Sequence, residues 1–360
     1  MSRQRRSYLR PVEVAGPYAL VALALIGGGL AIPGFLSLSH LSSMSGAAAY
    51  LGIIAIGQTL VLLLGGIDLS VPYLINLSAV LLVGFQVANF SGPSDFALVL
   101  VIGLGLGLVN GLGVALLDIS PLVMTLGMNS ILQGIAVIYT GGSPQGFPPA
   151  FVTTLATGTG AGIPYVVLLW VALIVLVTLV LVFSRFGRSI YSVGSNRTAS
   201  ALCGLPVKRT IIAAYAISGL SCALGGILLV GYQGSAYIGM GDNYLLPSVA
   251  IVVIGGTSLA GGKGSYIQTV AGALLITVLQ SALVTINVNQ AGQDVLYGVV
   301  ILLMAYFNQV AVSREGGGSK AWLRGLHGLG GWLEPVGRRG DVVAPIPEPV
   351  REPVPRATGE

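Results

Sequence analysis

The stretch Phe96-Ala-Leu-Val-Leu-Val-Ile-Gly-Leu-Gly-Leu-Gly-Leu-Val-Asn-Gly-Leu-Gly-Val-Ala-Leu-Leu117 holds no charged residue and a single amide, Asn110. As a helix it would rise about 33 Å at 1.5 Å per residue, enough to cross a hydrocarbon core of about 30 Å. Gly103, Gly107 and Gly111 recur every four positions and so share one helical face. Small residues so spaced let two backbones approach closely where lipid offers no hydrophobic drive for association. The segment reads as a membrane-spanning helix packed against another helix.

The rest of the chain has the same character. Of its 360 residues, 54% are hydrophobic and 8% charged, with 53 glycines and a mean hydropathy of +0.89. Soluble domains carry roughly 25% charged residues. That contrast excludes a water-soluble enzyme or binding module, and equally a disordered chain. The expected fold class is all-α, a polytopic membrane helix bundle of about ten transmembrane helices. Spans are expected near 16–36, 43–65, 70–90, 96–117, 122–141, 163–184, 211–232, 245–261, 266–287 and 291–309. The eighth is short and runs into Gly255, Gly256, Gly261 and Gly262, so it reads as a broken or re-entrant segment. The first follows several arginines, as a signal peptide would, but its length of roughly twenty residues marks an uncleaved helix. The expected organisation is an N-terminal tail over 1–15, a transmembrane domain over 16–309 and a tail over 310–360. In that last tail Trp322, Leu323, Leu326, Leu329, Trp332 and Leu333 fall near one helical face, as in an interfacial helix. Pro345, Pro347, Pro349, Pro353 and Pro355 then predict a disordered, extended end.

Charge placement orients the bundle. With the N-terminus inside, ten spans put all 17 Lys and Arg residues on the inner side. Four lie in the N-tail, five in 185–210, one at Lys263 and seven in the C-terminal tail. The outer segments hold only acids, such as Asp95 and Asp242. This one-sided distribution is what the positive-inside rule requires, and it predicts that both termini are cytoplasmic. Cations divided among loops and tails make no nucleic-acid surface. Cys203 falls in an inner loop and Cys222 in a helix, so a disulfide is not expected.

Catalytic chemistry is hard to place. The two histidines, His40 and His327, allow neither a His-based zinc site nor a Ser-His-Asp arrangement, and no metal site is expected. Thr257 to Gly264 superficially resembles a phosphate loop but lacks its first glycine and its Mg²⁺-binding Ser/Thr. Energy from nucleotide would have to come through a partner. Asp68, in Gly65-Gly66-Ile-Asp-Leu-Ser70, is the acid nearest the membrane core. It reads as an Asx-type cap on the helix opening at Ser70-Val-Pro72, with a ligand or relay role as the alternative. Neutral amides are more plentiful: Gln58, Asn76, Asn110, Asn129, Gln133 and Gln280. Each alone reads as helix-to-helix glue. Together with Thr125 they suit an uncharged polar solute, and Gln58, Asn76, Asn129 and Gln133 are the candidate pathway lining.

The inner loop 185–210 is the most informative. Arg185-Phe-Gly187-Arg188 closes the sixth span and Lys208-Arg209 opens the seventh. Between them Asn196 can cap a short helix starting at Arg197, and Gly204 with Pro206 can end it. The loop reads either as a solvated basic connection or as a short membrane-parallel helix fitting a groove of a cytoplasmic partner.

These residues together resemble the permease subunits of binding-protein-dependent ABC importers of the ribose and monosaccharide type. Gly65-Gly66-Ile67-Asp68-Leu69-Ser70-Val71 is similar to that family's GGIDLSVG signature. Pro121, Thr125-Leu126-Gly127 and Thr140-Gly141-Gly142 resemble a second motif. Gly187, Arg188, Tyr191, Gly194, Ser195, Asn196, Ala199 and Gly204 resemble its cytoplasmic coupling loop. Val253 to Ser265, with Gly255, Gly256, Gly261, Gly262 and Lys263, resembles its late glycine motif, which usually has Arg at the Lys263 position. The resemblance covers roughly 16–309. Pro72 and Pro247 depart from it, replacing a glycine and an acid. The resemblance implies a bacterial inner-membrane permease subunit that binds no cofactor itself, with ATP and Mg on a partner ABC ATPase. It further implies an extracellular or periplasmic sugar-binding protein, and a second permease subunit, identical or related. Alternatives are a related permease for nucleosides or branched-chain amino acids, or a secondary carrier or channel.

Overall fold

The computed structural model describes residues 11–87 and 92–315. Its apolar runs are helices: α1 (Pro11–Ala31), α2 (Leu38–Leu63), α3 (Val71–Val87), α4 (Pro93–Leu116) and α5 (Pro121–Thr140). After these come α6 (Ala150–Thr157), α7 (Tyr165–Phe183), α8 (Arg185–Ser195), α9 (Arg197–Leu202) and α10 (Val207–Gln233). The last are α11 (Leu245–Ile254), α12 (Tyr266–Thr285) and α13 (Gln290–Glu315). The molecule is an all-α polytopic membrane bundle, and each of the ten expected spans coincides with a helix. Six of them, α2, α4, α5, α7, α10 and α12, are long and apolar enough to cross a membrane. The other four contain shorter apolar stretches, of which α11 is the extreme. Its 10 residues rise about 15 Å, half a bilayer core, before the irregular segment 255–264 takes over.

Burial sorts the helices. Most of α2 and α10 is enclosed by the bundle, whereas α5 and α7 turn most of their surface outward. The glycine face that opened the sequence reading packs on α10, antiparallel to it. A Cβ at Gly103 would meet the Gly219 carbonyl oxygen at 2.8 Å, and one at Gly111 the Ile212 Cα at 2.7 Å. A Cβ at Gly107 would collide with the Tyr215 carbonyl oxygen. Gly219 and Ala223 answer from α10, while Gly226, on the same helix, faces the backbone of Ile75 in α3.

Polar glue ties α2 to its neighbours. Trp170 Nε1 donates to Tyr266 Oη (3.0 Å), which donates to the Gly52 carbonyl (2.8 Å). The Thr59 and Thr269 hydroxyls pair at 3.0 Å. Between α5 and α7 the sequence showed only a connection. The structure adds α6 and a two-residue antiparallel strand pair, Thr159–Gly160 with Ile163–Pro164. Tyr50 Oη secures α6 by donating to the Ala156 carbonyl at 2.8 Å.

The described residues through Gln309 belong to one compact unit. The apolar face at 322–333 and the proline run at 345–355 lie outside the described residues, as do residues 1–10.

Candidate functional site

The segment between α7 and α10 forms two short helices where one was expected. Ser184 caps α8 by accepting a hydrogen bond from Gly187 N at 3.0 Å. Asn196 caps α9 as read from sequence, its Oδ1 accepting from Ala199 N at 2.9 Å. Gly204, at φ +75°, follows the end of α9. Glycines and serines concealed α8, whose buried positions are Gly187, Ser189, Ile190, Tyr191 and Val193.

Three motifs far apart in sequence meet at the end of α8. The Leu63 carbonyl, on the last residue of α2, accepts from Gly262 N at 2.9 Å. Gly194 lies so close that a Cβ there would strike the same Leu63 oxygen and come within 2.8 Å of Gly262 N. Gly261, at φ +83°, could not bear a side chain without meeting Gly65 N at 2.8 Å and the Gly194 carbonyl at 2.9 Å. Ser195 packs on Gly262, Tyr191 Oη donates to the Gly264 carbonyl at 2.9 Å, and Arg197 reaches the Leu64 carbonyl at 3.4 Å. The segment is braced internally by Ser258 N on the Lys263 carbonyl (2.9 Å). The result is a backbone knot joining α8, the end of α2 and the loop after α11. Gly255, by contrast, packs on the Gln268 backbone of α12, and Gly256 takes φ +101° in the turn that ends α11.

Outside the knot, Arg188, Ala199 and Leu202 are exposed, Leu202 by 86%. An open groove of about 620 Å³ lies alongside, lined among others by Asp118, Arg197, Lys208 and Arg209. Arg185, Arg188, Arg197, Lys208, Arg209 and Lys263 thus all gather at this one end of the bundle.

Asp68 is wholly buried. Its Oδ1 accepts from Ser70 N (3.0 Å) and Ser70 Oγ, an Asx turn leading into α3. Its Oδ2 accepts from Ser218 Oγ of α10 at 2.7 Å. Ser70 Oγ in turn accepts from Asn110 Nδ2 of α4 (2.9 Å), and Leu69 N donates to Thr125 Oγ1 of α5 (3.0 Å). The cap expected from sequence is therefore also a hub for four helices.

The four candidate pathway residues do not converge. Asn76 Nδ2 donates to the Tyr237 carbonyl at 2.7 Å. Asn129 Oδ1 accepts from Tyr73 N at 3.4 Å, and Gln133 is exposed on the same helix, as is Gly127. Gln58 is fully buried, and neither of its amide atoms has a hydrogen-bond partner among the described residues. A different set lines a cavity of about 510 Å³ at the opposite end of α2 and α10 from the knot. It includes His40 and Leu51, Tyr232, Gln233 and Tyr237, Asn243, Tyr244 and Pro247, Thr277, Gln280 and Ser281, and Gln290. No Asp, Glu, Lys or Arg lines it. Of these, His40, Pro247 and Gln280 were named in the sequence reading; the others belong to no motif and are spread over α2, α10, α12, α13 and the link before α11.

Comparison with known proteins agrees with the motifs. A family model described as "Branched-chain amino acid transport system / permease component" matches residues 40–305. A probable ABC transporter permease of Sinorhizobium fredii is 34% identical over 317 residues, covering 86% of this chain and 92% of the relative. The ribose import permease of Bacillus subtilis is 33% identical over 84% of this chain and 95% of its own length. The autoinducer 2 import system permease of Photorhabdus temperata is 29% identical, covering 88% of this chain and 93% of that protein. No solved structure matches significantly. With a family match over most of its length and full-length relatives above 30% identity, the chain belongs to this family, the transmembrane permease components of ABC transport systems.

Proposed function

We propose that this chain is the transmembrane subunit of an ATP-driven importer that moves an uncharged monosaccharide, a ribose-like pentose or a hexose, into the cytoplasm by alternating access. The observation that carries the reading is the knot: the segment resembling a coupling loop packs its Gly194 backbone against the end of α2 and the loop after α11, which are bonded to each other, and adds the Tyr191 and Arg197 side-chain bonds to their carbonyls. A load applied to α8 and α9 from outside the chain therefore reaches the bundle without slack.

In this reading the cation-rich end faces the cytoplasm and the uncharged cavity faces outward. A partner ABC ATPase carrying ATP and Mg engages the exposed side of α9, including Ala199 and Leu202, and the neighbouring groove. A sugar-binding protein delivers cargo to the cavity end, and a second permease subunit, identical or related, completes the pathway. ATPase closure favours one of two arrangements by its differential contacts with each, and α8 with α9 moves as a rigid lever. The cavity chemistry favours a sugar over an amino acid, since a zwitterion would enter without a charge to pair with.

Ala199→Trp tests the docking surface, because Ala199 is exposed and the added ring meets solvent or a partner. Uptake by the assembled transporter should fall at least tenfold with membrane abundance unchanged, and ATP hydrolysis should become independent of the loaded binding protein. Gly194→Val attacks the knot from the other side and should likewise uncouple hydrolysis from uptake. Normal uptake in both variants refutes the proposal. Uptake that survives ATP depletion but collapses with the ion gradient selects a secondary carrier instead.

A further inference from the structure

We infer that the cavity bounded by α2, α10, α12 and α13 is itself a selective site for an uncharged, polyhydroxylated solute, and that Gln58 is the next recognition residue on its inward side. The inference rests on the importer reading above, for it gives the permease a share in choosing the cargo.

Helix geometry aligns the two. His40, Ala47 and Leu51 line the cavity from α2. Gln58 stands seven residues beyond Leu51, two turns on, and so on the same face about 10 Å deeper. Asn76 and Asn110 are each bonded through Nδ2 and leave only Oδ1 unpaired, whereas Gln58 is buried with both amide atoms unpaired among the described residues. Leaving buried polar groups unpaired is costly, and protein interiors avoid it. An amide carries two donors and an acceptor, which complement neighbouring hydroxyls on one ligand.

The cavity offers matching chemistry. Tyr232, Tyr237 and Tyr244 present rings with polar tips, and Gln233, Asn243 and Gln280 present amides. Its volume falls in the range of small-molecule pockets, about 300–1,000 Å³. A mechanism for extending it inward is also present. Pro247 of α11 lines the cavity, while the other end of α11 runs into the knot through the 255–264 segment. Movement of the knot shifts α11, which packs against both α2 and α12, and uncovers the face bearing Gln58.

The test uses the assembled transporter in intact cells, on a Cys203→Ser background that removes the exposed thiol. Gln280→Cys and Gln58→Cys are labelled from outside with a membrane-impermeant maleimide, normalised to membrane abundance. The Gln280→Cys thiol should label at rest, labelling should slow at least threefold with D-ribose but not with L-leucine, and the adduct should abolish uptake. The Gln58→Cys thiol should label only during ATP turnover. Equal protection by L-leucine, an adduct at position 280 that leaves uptake intact, or a position 58 that never labels would each overturn the inference. Labelling of position 58 at rest would overturn its placement behind α11. If the parent transporter takes up no D-ribose, the proposed cargo fails, and the turnover dependence at position 58 still decides whether the cavity leads inward.

Discussion

Asp68 can be assigned to structure or to proton handling by comparing two substitutions. Asp68→Ala removes the acceptors of three buried donors: Ser70 N, Ser70 Oγ and Ser218 Oγ. At about 1–1.5 kcal/mol for each bond lost, the deficit is about 3–5 kcal/mol. Rotation of the Ser218 hydroxyl onto a carbonyl of its own helix recovers about 1 kcal/mol of this. The remaining loss of about 2–4 kcal/mol lowers the melting temperature by roughly 4–8 °C, at about 2 °C per kcal/mol for large domains. Asp68→Asn keeps Oδ1 for the Ser70 pair and turns an NH₂ toward Ser218 Oγ, which accepts as readily as it donates. Its cost is about 1 kcal/mol or less. Thermal melting of the purified permease in detergent measures the stabilities, and cellular uptake measures function. The hub reading requires Asp68→Asn to melt within about 2 °C of the parent and to transport normally, with Asp68→Ala impaired in both. A stable Asp68→Asn variant that transports nothing would refute it, since the amide preserves the contacts and loses only the charge and the capacity to take up a proton.

Other consequences are local. Asn196→Ala deletes the cap of α9, costing about 1 kcal/mol within that helix; amide exchange at 198–202 should quicken about fivefold while the melting temperature holds, with uptake reduced. Gly107→Val drives a side chain into the Tyr215 carbonyl and should cut membrane abundance severalfold, whereas Gly105→Val, where nothing lies within 4 Å of the added Cβ, should leave it unchanged; immunoblots of membrane fractions compare the two.

The membrane helices were legible because lipid imposes a simple rule: about twenty apolar residues per crossing. Even the exception was visible, since α11 ends at the glycine cluster that made the eighth span suspect. The cap of α9 could be read from Asn196 because capping is local chemistry. Convergence could not. Gly65, Gly194 and Gly261 look alike as glycines, and only the fold reveals that another backbone occupies the side-chain space of Gly194 and Gly261, while Gly65 turns the chain at φ +76°. The partners of the amides were equally hidden: only the fold shows Asn129 accepting from Tyr73 N and Asn76 donating to the Tyr237 carbonyl. Ser218 gave no signal at all as the partner of Asp68, 150 positions away.

The knot also bears on how a bundle with so little charge can be driven. Among the described residues the buried acids are Asp68, held by serine donors, and Asp95, which accepts from Gln86 Nε2 at 2.7 Å. A chain of proton sites across the membrane would need several acids within reach of one another, and these two belong to separate networks. In the importer reading proposed above, work enters mechanically through α8 and α9. The Leu63–Gly262 bond ties the end of α2 to the loop after α11, and Gly194 of α8 packs on both with no side chain between, while Tyr191 and Arg197 add bonds to the Gly264 and Leu64 carbonyls. The helix attached there, α2, has 26 residues and is about 39 Å long. A tilt of about 5° about the knot moves its far end by about 3 Å. That far end carries His40, Ala47 and Leu51 into the wall of the uncharged cavity. Glycine at the knot and stiffness in α2 are thus two halves of one requirement: a displacement imposed on α8 has to arrive at the cavity undiminished.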